Sequence, residues 1–183
     1  MVLCAALAVR LSPRGPVLFR QRRVGLDGKE FDLYKFRSIC LPLEPAELID
    51  DGSSTLKSLL DGDTVSKGVE KDNRITTIGR FLRHSALDEL PQLLNVMRGE
   101  MSMIGPRPEH PGFVELFGRD TSHYDDRHRV KPGITGWAQV HGLRGQTSLA
   151  ERVEWDNYYS AHWSLGLDLK IVALTLMVLF RSE

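Results

Sequence analysis

Two adjacent carboxylates, Asp88 and Glu89, are the residues of the sequence best suited to chemistry. Pro91 follows them, and because proline is best tolerated in the first turn of a helix, we expect a helix to break or restart here. The carboxylates would then lie at a helix N-terminus, where the dipole favours negative charge. A carboxylate there can hold Mg²⁺ or attack phosphorus to form an aspartyl phosphate. The alternative is a helix cap, since Ser85-x-x-Asp88 resembles a capping box.

Arginines supply a second set of candidate groups. Arg83 precedes the carboxylate pair, Arg107 lies between two prolines that limit its backbone freedom, and Arg144 belongs to a basic group near Pro132. Guanidinium groups bind phosphate oxygens in pairs and neutralise charge that develops during transfer. With the carboxylates and a divalent ion, they would form a phosphoryl-transfer site. Each arginine taken alone is better explained as a surface residue.

The overall composition is that of one globular domain. The chain has 183 residues, of which 42% are hydrophobic and 26% charged, close to globular averages. The net charge is zero, so no global field draws the chain to nucleic acid or anionic lipid. Two cysteines provide neither a disulfide framework nor a four-ligand metal site. The sequence contains no Walker A loop, Rossmann fingerprint or nucleophile elbow.

Charge is nevertheless segregated along the chain. Residues 10–37 carry eight basic and three acidic side chains, whereas residues 44–72 carry eight acidic and three basic ones. The basic block is suited to phosphates or lipid head groups, and the acidic block is typical of a mobile surface insertion. Each block is also consistent with a solvated face.

The residue pattern predicts an order of elements. We expect two strands joined by a glycine-containing turn, a helical stretch that breaks near Pro91, a rigid loop, a turn leading into a short strand, and a helical last third. Their predicted bounds are Pro16–Val24, Phe31–Phe36, Arg80–Met97, Gly105–Pro108, Pro132–Gly136 and Trp137–Val140.

Apolar runs lie near both ends of the chain. Val2–Val9 and Ile171–Phe180 are too short to span a bilayer, which takes about 20 residues. Leu167, Ile171 and Leu174 recur at helical spacing, with four aromatic residues shortly before the second run. This pattern predicts a helix either at a membrane interface or packed on a soluble core, and the sequence leaves both open.

The order of several motifs carries a family resemblance. The motifs are, in chain order, Gly15-Pro16-Val17-Leu18-Phe19-Arg20-Gln21, Tyr34-Lys35-Phe36-Arg37-Ser38, Arg80-Phe81-Leu82-Arg83, Leu87-Asp88-Glu89-Leu90-Pro91-Gln92-Leu93, Met101-Ser102-Met103-Ile104-Gly105-Pro106-Arg107-Pro108 and Val130-Lys131-Pro132-Gly133-Ile134-Thr135-Gly136-Trp137-Ala138-Gln139-Val140. With these motifs in this order, the chain closely resembles the bacterial sugar transferases, the monotopic polyprenyl-phosphate phosphoglycosyl transferases, over nearly all of residues 10–178.

The resemblance implies transfer of a phospho-sugar from a UDP-sugar to a polyprenyl phosphate such as undecaprenyl phosphate, with release of UMP. Such a reaction initiates exopolysaccharide, capsule or O-antigen synthesis. By this resemblance Asp88 is the nucleophile and a ligand of Mg²⁺, with Mn²⁺ as the alternative ion, and Glu89 is its partner. The implied phosphate-binding residues are Arg83, Arg107 and Arg144, with Lys35 and Arg37 supporting the site or meeting a phosphate.

The resemblance also implies a fold and a location. We expect an α+β, mainly helical small catalytic domain with a short β-hairpin, monotopic on the cytoplasmic face of the bacterial inner membrane, with amphipathic interfacial helices. Residues 1–11 would be the remnant of an N-terminal membrane-inserted helix, 12–183 the catalytic domain, and 40–72 a variable acidic insertion.

The expected partners are the UDP-sugar donor, the polyprenyl phosphate acceptor and the membrane surface, but no nucleic acid; a homo-oligomer is left open. One competing hypothesis is a non-catalytic membrane-surface adaptor that binds anionic lipid. Another is a soluble phosphate- or nucleic-acid-binding domain, which the zero net charge disfavours.

Overall fold

A computed structural model describes residues 9, 16–38, 76–143 and 147–181. Over these residues the fold mixes helix and strand and is mostly helical, as predicted. The predicted insertion 40–72, and residues 1–11 apart from Val9, lie outside the described residues. No helix in the described ranges is long and apolar enough to cross a membrane. The α-helices in this part of the chain are α1 Thr77–His84, α2 Gln92–Met97, α3 Pro111–Asp120, α4 Trp137–Val140, α5 Leu149–Ala161 and α6 Leu165–Arg181.

The predicted hairpin is confirmed. Strand β1 spans Leu18–Val24 and pairs with β2, which spans Glu30–Phe36. A short 3-10 turn connects them, in which Asp27 (φ 55°) and Gly28 (φ 71°) both adopt left-handed conformations. Glycine adopts this conformation at little cost and aspartate tolerates it, so the loop chemistry agrees with the reversal of the chain.

The chain divides into two compact units. The first unit comprises Met1–Gln21 and Leu33–Gln92, and the second comprises Arg22–Asp32 and Leu93–Glu183. The predicted domain boundaries are a different division and stay a prediction. Each unit has a hydrophobic cluster of its own.

In the first unit, α1 packs on the end of β2. Val9, Phe36 and Leu82 are buried together in its core. Gly79 in α1 lies so close to Ser38 that an added Cβ would collide with the Ser38 carbonyl group. A glycine at this position therefore lets the helix backbone approach the chain that leaves β2.

In the second unit, a short parallel pair supports the helices. Strand β3 (Ser102–Ile104) pairs with β4 (Gly133–Thr135). Helices α4, α5 and α6 form the hydrophobic cluster beside it, to which they contribute Trp137, Val140, Tyr159 and Ile171.

The predicted strand Trp137–Val140 is wrong, because these residues form the single helical turn α4. All four of its side chains are buried, and a short, fully buried run fits a strand and a helix equally well. The strand lies just before it, at Gly133–Thr135. There the backbone of Gly133 approaches Gly105 too closely for a side chain.

The predicted break near Pro91 is confirmed. Helix α1 ends at His84, a 3-10 turn spans Leu87–Glu89, and α2 begins at Gln92, directly after the proline. Helix α1 itself begins three residues before the predicted start. The Thr76 hydroxyl accepts a hydrogen bond from the Gly79 amide (2.8 Å) and so caps its first turn.

Candidate active site

The Asp88-Glu89 pair lies on the 3-10 turn between α1 and α2. The turn is anchored because Leu87 and Leu90, on either side of the pair, pack against the core of the first unit. It is entered through Ala86, which has a left-handed backbone (φ 53°, ψ 15°). This conformation is unfavourable for alanine, so packing must hold it in place.

The capping-box alternative for Asp88 is wrong. The Ser85 hydroxyl instead donates hydrogen bonds back to the Phe81 carbonyl (2.8 Å) and the Leu82 carbonyl (3.2 Å). Within the described residues no side chain caps the 3-10 turn, and its N-cap is Ala86. The two carboxylates are therefore not explained by a reciprocal cap with Ser85.

Glu89 is held by a lysine from the neighbouring strand. The Lys35 ammonium group lies 2.9 Å from Glu89 Oε1, and the two side chains are 20% and 21% exposed. Lys35 is on β2, 54 positions from Glu89 in sequence. The strand thus brings a cation to the turn and fixes one carboxylate of the pair, at a place that solvent still reaches.

The second carboxylate, Asp88, is half-buried. Burial raises the pKa of its carboxyl group above the usual value, and the nearby Glu89 raises the pKa as well. Lys35 and Arg83 oppose this rise because their positive charges favour the carboxylate form. An ionised carboxylate with a raised pKa is a better nucleophile than one that is fully solvated, so this environment suits covalent catalysis.

The two arginines predicted in the first unit have different surroundings. Arg83 is partly buried, and its Nε donates to Ser38 Oγ (2.8 Å). Arg37 is buried, and its Nη2 donates to the Val9 carbonyl (3.1 Å). Its buried Nη1 has no partner in the described part of the chain. The contact of Ser38 with Arg83 was not predicted. The sequence feature that could have indicated it is Gly79, because a glycine there allows α1 to approach Ser38.

Of the two remaining predicted residues, one belongs to the second unit and one lies outside the described residues. Arg107 belongs to the second unit, where its side chain is partly buried and its carbonyl accepts a hydrogen bond from Arg127 Nη2 (2.9 Å). Arg144 lies outside the described residues. The structure therefore brings together four of the seven predicted site residues, all in the first unit: Lys35, Arg83, Asp88 and Glu89. Arg37 belongs to the same unit, where its described contact is with Val9.

Comparison with known proteins identifies the family. A model of the family described as bacterial sugar transferase matches residues 1–182. The chain belongs to this family. The family resemblance inferred from the motifs is therefore confirmed.

Relatives of the sugar transferase are named for related reactions. The chain is 44% identical to a UDP-glucose:undecaprenyl-phosphate glucose-1-phosphate transferase of Xanthomonas campestris pv. campestris, over 96% of this chain and 34% of the relative. It is 43% identical to a protein of the same name from Escherichia coli (strain K12), over 100% and 37%. It is 39% identical to a UDP-N-acetylgalactosamine-undecaprenyl-phosphate N-acetylgalactosaminephosphotransferase of Aeromonas hydrophila, over 100% and 40%. The chain thus spans little more than a third of the length of these relatives.

Proposed function

We propose that this sugar transferase moves a phospho-sugar from a UDP-sugar to undecaprenyl phosphate, with Asp88 as the covalent nucleophile. The observation that carries the proposal is the half-buried Asp88 carboxylate, beside a Glu89 that is already neutralised by Lys35. The names of the relatives support the donor and acceptor classes.

The first step is attack on the donor diphosphate. A carboxylate oxygen of Asp88 forms a bond to the β-phosphorus, the bond from that phosphorus to the bridging oxygen breaks, and UMP leaves with the electron pair. The positive charges of Lys35 and Arg83 reduce repulsion between the anionic nucleophile and the anionic donor. The protein then carries the phospho-sugar as an acyl phosphate on Asp88.

The second step regenerates the enzyme. An oxygen of the lipid phosphate attacks the same phosphorus, and the Asp88 carboxylate leaves, which yields the polyprenyl diphosphate sugar. Lys35 holds the Glu89 carboxylate in place and balances its negative charge beside Asp88. Glu89 is therefore suited to orient the acceptor or the donor rather than to form the covalent bond.

The donor set fits a magnesium ion that is shared with the substrate. The described residues contain no group of three His, Cys, Asp or Glu side chains that could hold a metal by themselves. Mg²⁺ is usually bound by one or two carboxylates together with substrate phosphates, a role for which Asp88 has the right oxygen donors. When bound, the ion would neutralise charge on the diphosphate and on the leaving UMP.

We also propose that α6 docks on the lipid bilayer that contains the acceptor. One face of the helix, which carries Ile171, packs on the core of the second unit. For that face, the alternative of a helix packed on the core is therefore correct. A different face exposes a row of apolar residues at helical spacing: Leu165 (70%), Leu169 (64%), Val172 (43%) and Leu176 (51%). Trp163 (62%) precedes the helix, as interfacial aromatics do. Because the proposed acceptor is a lipid, a membrane is the surface best suited to cover this row. The helix would dock on the cytoplasmic face of that membrane, where nucleotide sugars are found.

The reaction is tested by UMP release from the full 183-residue chain in detergent. UDP-glucose, UDP-galactose and UDP-N-acetylgalactosamine are each supplied with undecaprenyl phosphate and Mg²⁺. We expect release that depends on the metal and on Asp88. In a separate incubation without lipid, sugar-labelled UDP-glucose should leave a hydroxylamine-sensitive label on the wild type and none on Asp88→Asn. Absence of UMP release with all donors would contradict the proposal and favour the adaptor hypothesis.

Membrane docking is tested by flotation with liposomes of phosphatidylethanolamine and phosphatidylglycerol. The double variant Leu165→Ser/Leu169→Ser should float less than the wild type, because two exposed apolar side chains are lost. The matched control, Glu154→Ser, changes an exposed residue of α5 and should float like the wild type. Equal flotation of all three proteins would contradict docking through α6.

A further inference from the structure

The corner between α5 and α6 is built around one carboxylate, that of Asp168. Its Oδ1 accepts a hydrogen bond from the Tyr159 hydroxyl (2.9 Å), and its Oδ2 accepts one from the Trp163 indole Nε1 (3.2 Å). Tyr159 is 3% exposed and belongs to the core of the second unit, whereas Trp163 is 62% exposed. Asp168 therefore connects an exposed aromatic ring to the core.

The tyrosine side of this arrangement is fixed. A buried hydroxyl needs a hydrogen-bond partner, and Asp168 Oδ1 at 2.9 Å is closer to the Tyr159 hydroxyl than the Ile104 carbonyl oxygen at 3.5 Å. Burial raises the pKa of Tyr159, and the hydrogen bond with Asp168 raises this pKa as well, so the hydroxyl keeps its proton and remains a donor. One oxygen of the carboxylate is thus held by the core, and the other is bonded to the indole.

The start of α6 fixes where Trp163 lies along the chain. The Ser164 hydroxyl accepts a hydrogen bond from the Leu167 amide (3.2 Å), so Ser164 is the N-cap of the helix. Trp163 is then the residue before the cap, and Asp168 is the fourth residue of the helix. In many helices these two positions carry apolar side chains that pack together. Here they carry an indole and a carboxylate, joined by a directional hydrogen bond.

Asp168 lies at the border of the exposed apolar row of α6. It is three positions after Leu165 and four before Val172, both in that row, and residues at these spacings are neighbours on a helix surface. On its other side, three positions on, is the buried Ile171. Because the indole N–H is bonded to Asp168, the Trp163 ring lies at the edge of the row, near the N-terminus of the helix.

Folding stability does not account for the exposed half of this arrangement. The N–H of an exposed indole can bond to water, so its bond to Asp168 adds little to the free energy of unfolding. At a membrane the same bond has a larger effect, because an N–H that enters the bilayer without an acceptor costs free energy. An indole has one donor and no acceptor, so a ring whose N–H is bonded within the protein is otherwise apolar.

We propose that Asp168 is a positioning residue that makes Trp163 a membrane anchor, because it accepts the indole N–H within the protein and orients the ring for burial in a lipid bilayer. The inference rests on the proposed docking of α6. An indole with a free N–H stays at the level of the lipid head groups, whereas a ring with a bonded N–H can enter more deeply. A ring of fixed orientation also loses less conformational freedom on binding, so the benefit appears as membrane affinity.

The test is a double-mutant cycle on binding of the full 183-residue chain to phosphatidylcholine vesicles. This lipid has no net charge, so the loss of a charge from the protein has little effect on the attraction. Asp168→Asn keeps one oxygen for Tyr159 but places an amino group opposite the indole N–H, and should lower the partition coefficient about fivefold. Trp163→Phe keeps an apolar ring and should lower it about threefold. In the Trp163→Phe background, Asp168→Asn should have no further effect, because no N–H remains to be accepted.

The depth of the ring is a readout that a purely structural role of Asp168 would not change. Lipids with bromine on deep acyl-chain carbons quench an indole that enters the bilayer. Subtraction of the spectrum of the matching Trp163→Phe protein removes the signals of the other two tryptophans, Trp137 and Trp155. At equal amounts of bound protein, we expect quenching of Trp163 in Asp168→Asn to be about half of that in the wild type.

A matched control and a second measurement support the cycle. Asp125→Asn removes the same charge from a side chain of the second unit that is 83% exposed, and should bind like the wild type. If Asp168→Asn does not fold, hydrogen exchange of the Trp163 indole N–H in the wild type decides the question. This exchange should be at least about tenfold slower on phosphatidylcholine nanodiscs than without lipid, because the bond to Asp168 persists and water is excluded.

The failures of the two proposals are distinguishable. The anchor would be overturned by equal effects of Asp168→Asn with and without the Trp163 indole, by unchanged quenching, by an equal effect of Asp125→Asn, or by indole exchange that lipid does not slow. Binding of the wild type would in each case leave the docking of α6 standing. No binding of the wild type to the vesicles would overturn both the docking and the anchor. Absence of UMP release by a wild type that binds the vesicles would contradict the proposed reaction alone.

Discussion

Two ion pairs of similar length join distant parts of the chain but differ in their access to solvent. Lys35–Glu89 in the first unit has a separation of 2.9 Å, and its side chains are 20% and 21% exposed. Arg127–Asp156 in the second unit has a separation of 2.7 Å, with 1% and 3% exposure. Each links a strand or turn to an element far along the sequence.

The difference in solvent exposure matches the different roles that we infer for the two pairs. The partly exposed pair lies beside Asp88, and its charges can be redistributed towards a ligand at moderate cost. The sealed pair cannot exchange its partners, because an unpaired charge in the interior is strongly unfavourable. A similar pair of charges thus lies beside the candidate nucleophile Asp88 in one unit and holds a loop backbone in the other.

Asp88→Asn tests the chemical side of the comparison. The amide is similar in shape but is not a nucleophile, so UMP release should fall by about 10⁴-fold or more, the order seen when a covalent nucleophile is removed. Asp126→Asn, a carboxylate of the second unit, is the matched control and should retain activity. A variant with near-normal turnover and unchanged melting temperature would exclude Asp88 as the nucleophile.

Arg127→Met tests the sealed pair through stability. It leaves Asp156 buried without its partner, so the free energy of unfolding should fall by about 3–5 kcal/mol. Lys35→Met, at the partly exposed pair, should cost about 1 kcal/mol or less. Urea denaturation of the two variants measures both values. A similar loss for both would mean that solvent access does not distinguish the pairs.

Lys35→Met tests the electrostatic control of Asp88. The pKa of Asp88 is already raised by burial, and Lys35 opposes that rise. Loss of Lys35 should therefore raise the pKa of Asp88 further. Because the nucleophile must be ionised, the acid limb of the pH profile for UMP release should move to higher pH. Arg83→Met should move it in the same direction but by less, and an acid limb that stays in place would contradict this account.

Ala86→Gly tests the strained entry to the 3-10 turn that carries Asp88 and Glu89. Glycine accepts the left-handed backbone at this position without strain, so the free energy of unfolding should rise by up to about 1 kcal/mol. Ala173→Gly, the same change at an exposed position inside α6, should instead lower it by about 1 kcal/mol. Thermal denaturation compares the two, and a decrease for both would show that Ala86 is not strained.

Much of the local structure follows from short-range chemistry. The hairpin and the helix break near Pro91 were correctly predicted, because glycine permits a left-handed turn and proline restricts the backbone whatever surrounds them. The Trp137–Val140 strand was wrongly predicted, because a short buried run has no period that distinguishes strand from helix. The Ser85 cap failed for a related reason, since a serine hydroxyl can bond either to the turn ahead or to the helix behind it.

The candidate site shows a similar division. The adjacent carboxylates Asp88 and Glu89 and the basic residues that could accompany them were evident from the sequence. The order of the motifs identified the family. The contact of Lys35 with Glu89 and the support of Arg83 by Ser38 were not predictable, because each joins residues that are far apart along the chain. Arg127 and Asp156 had no recognisable signal, since surface and buried arginines look alike in sequence.

Residue type and local order were enough to predict the breaks in the helices, the reactive groups that are available and the family. The tertiary structure alone decided which charges are sealed and which remain accessible. It also decided that α6 buries one apolar face and exposes another, a choice that periodicity left open. The physical reason is that desolvation depends on every neighbour in space, and most of those neighbours are distant in sequence.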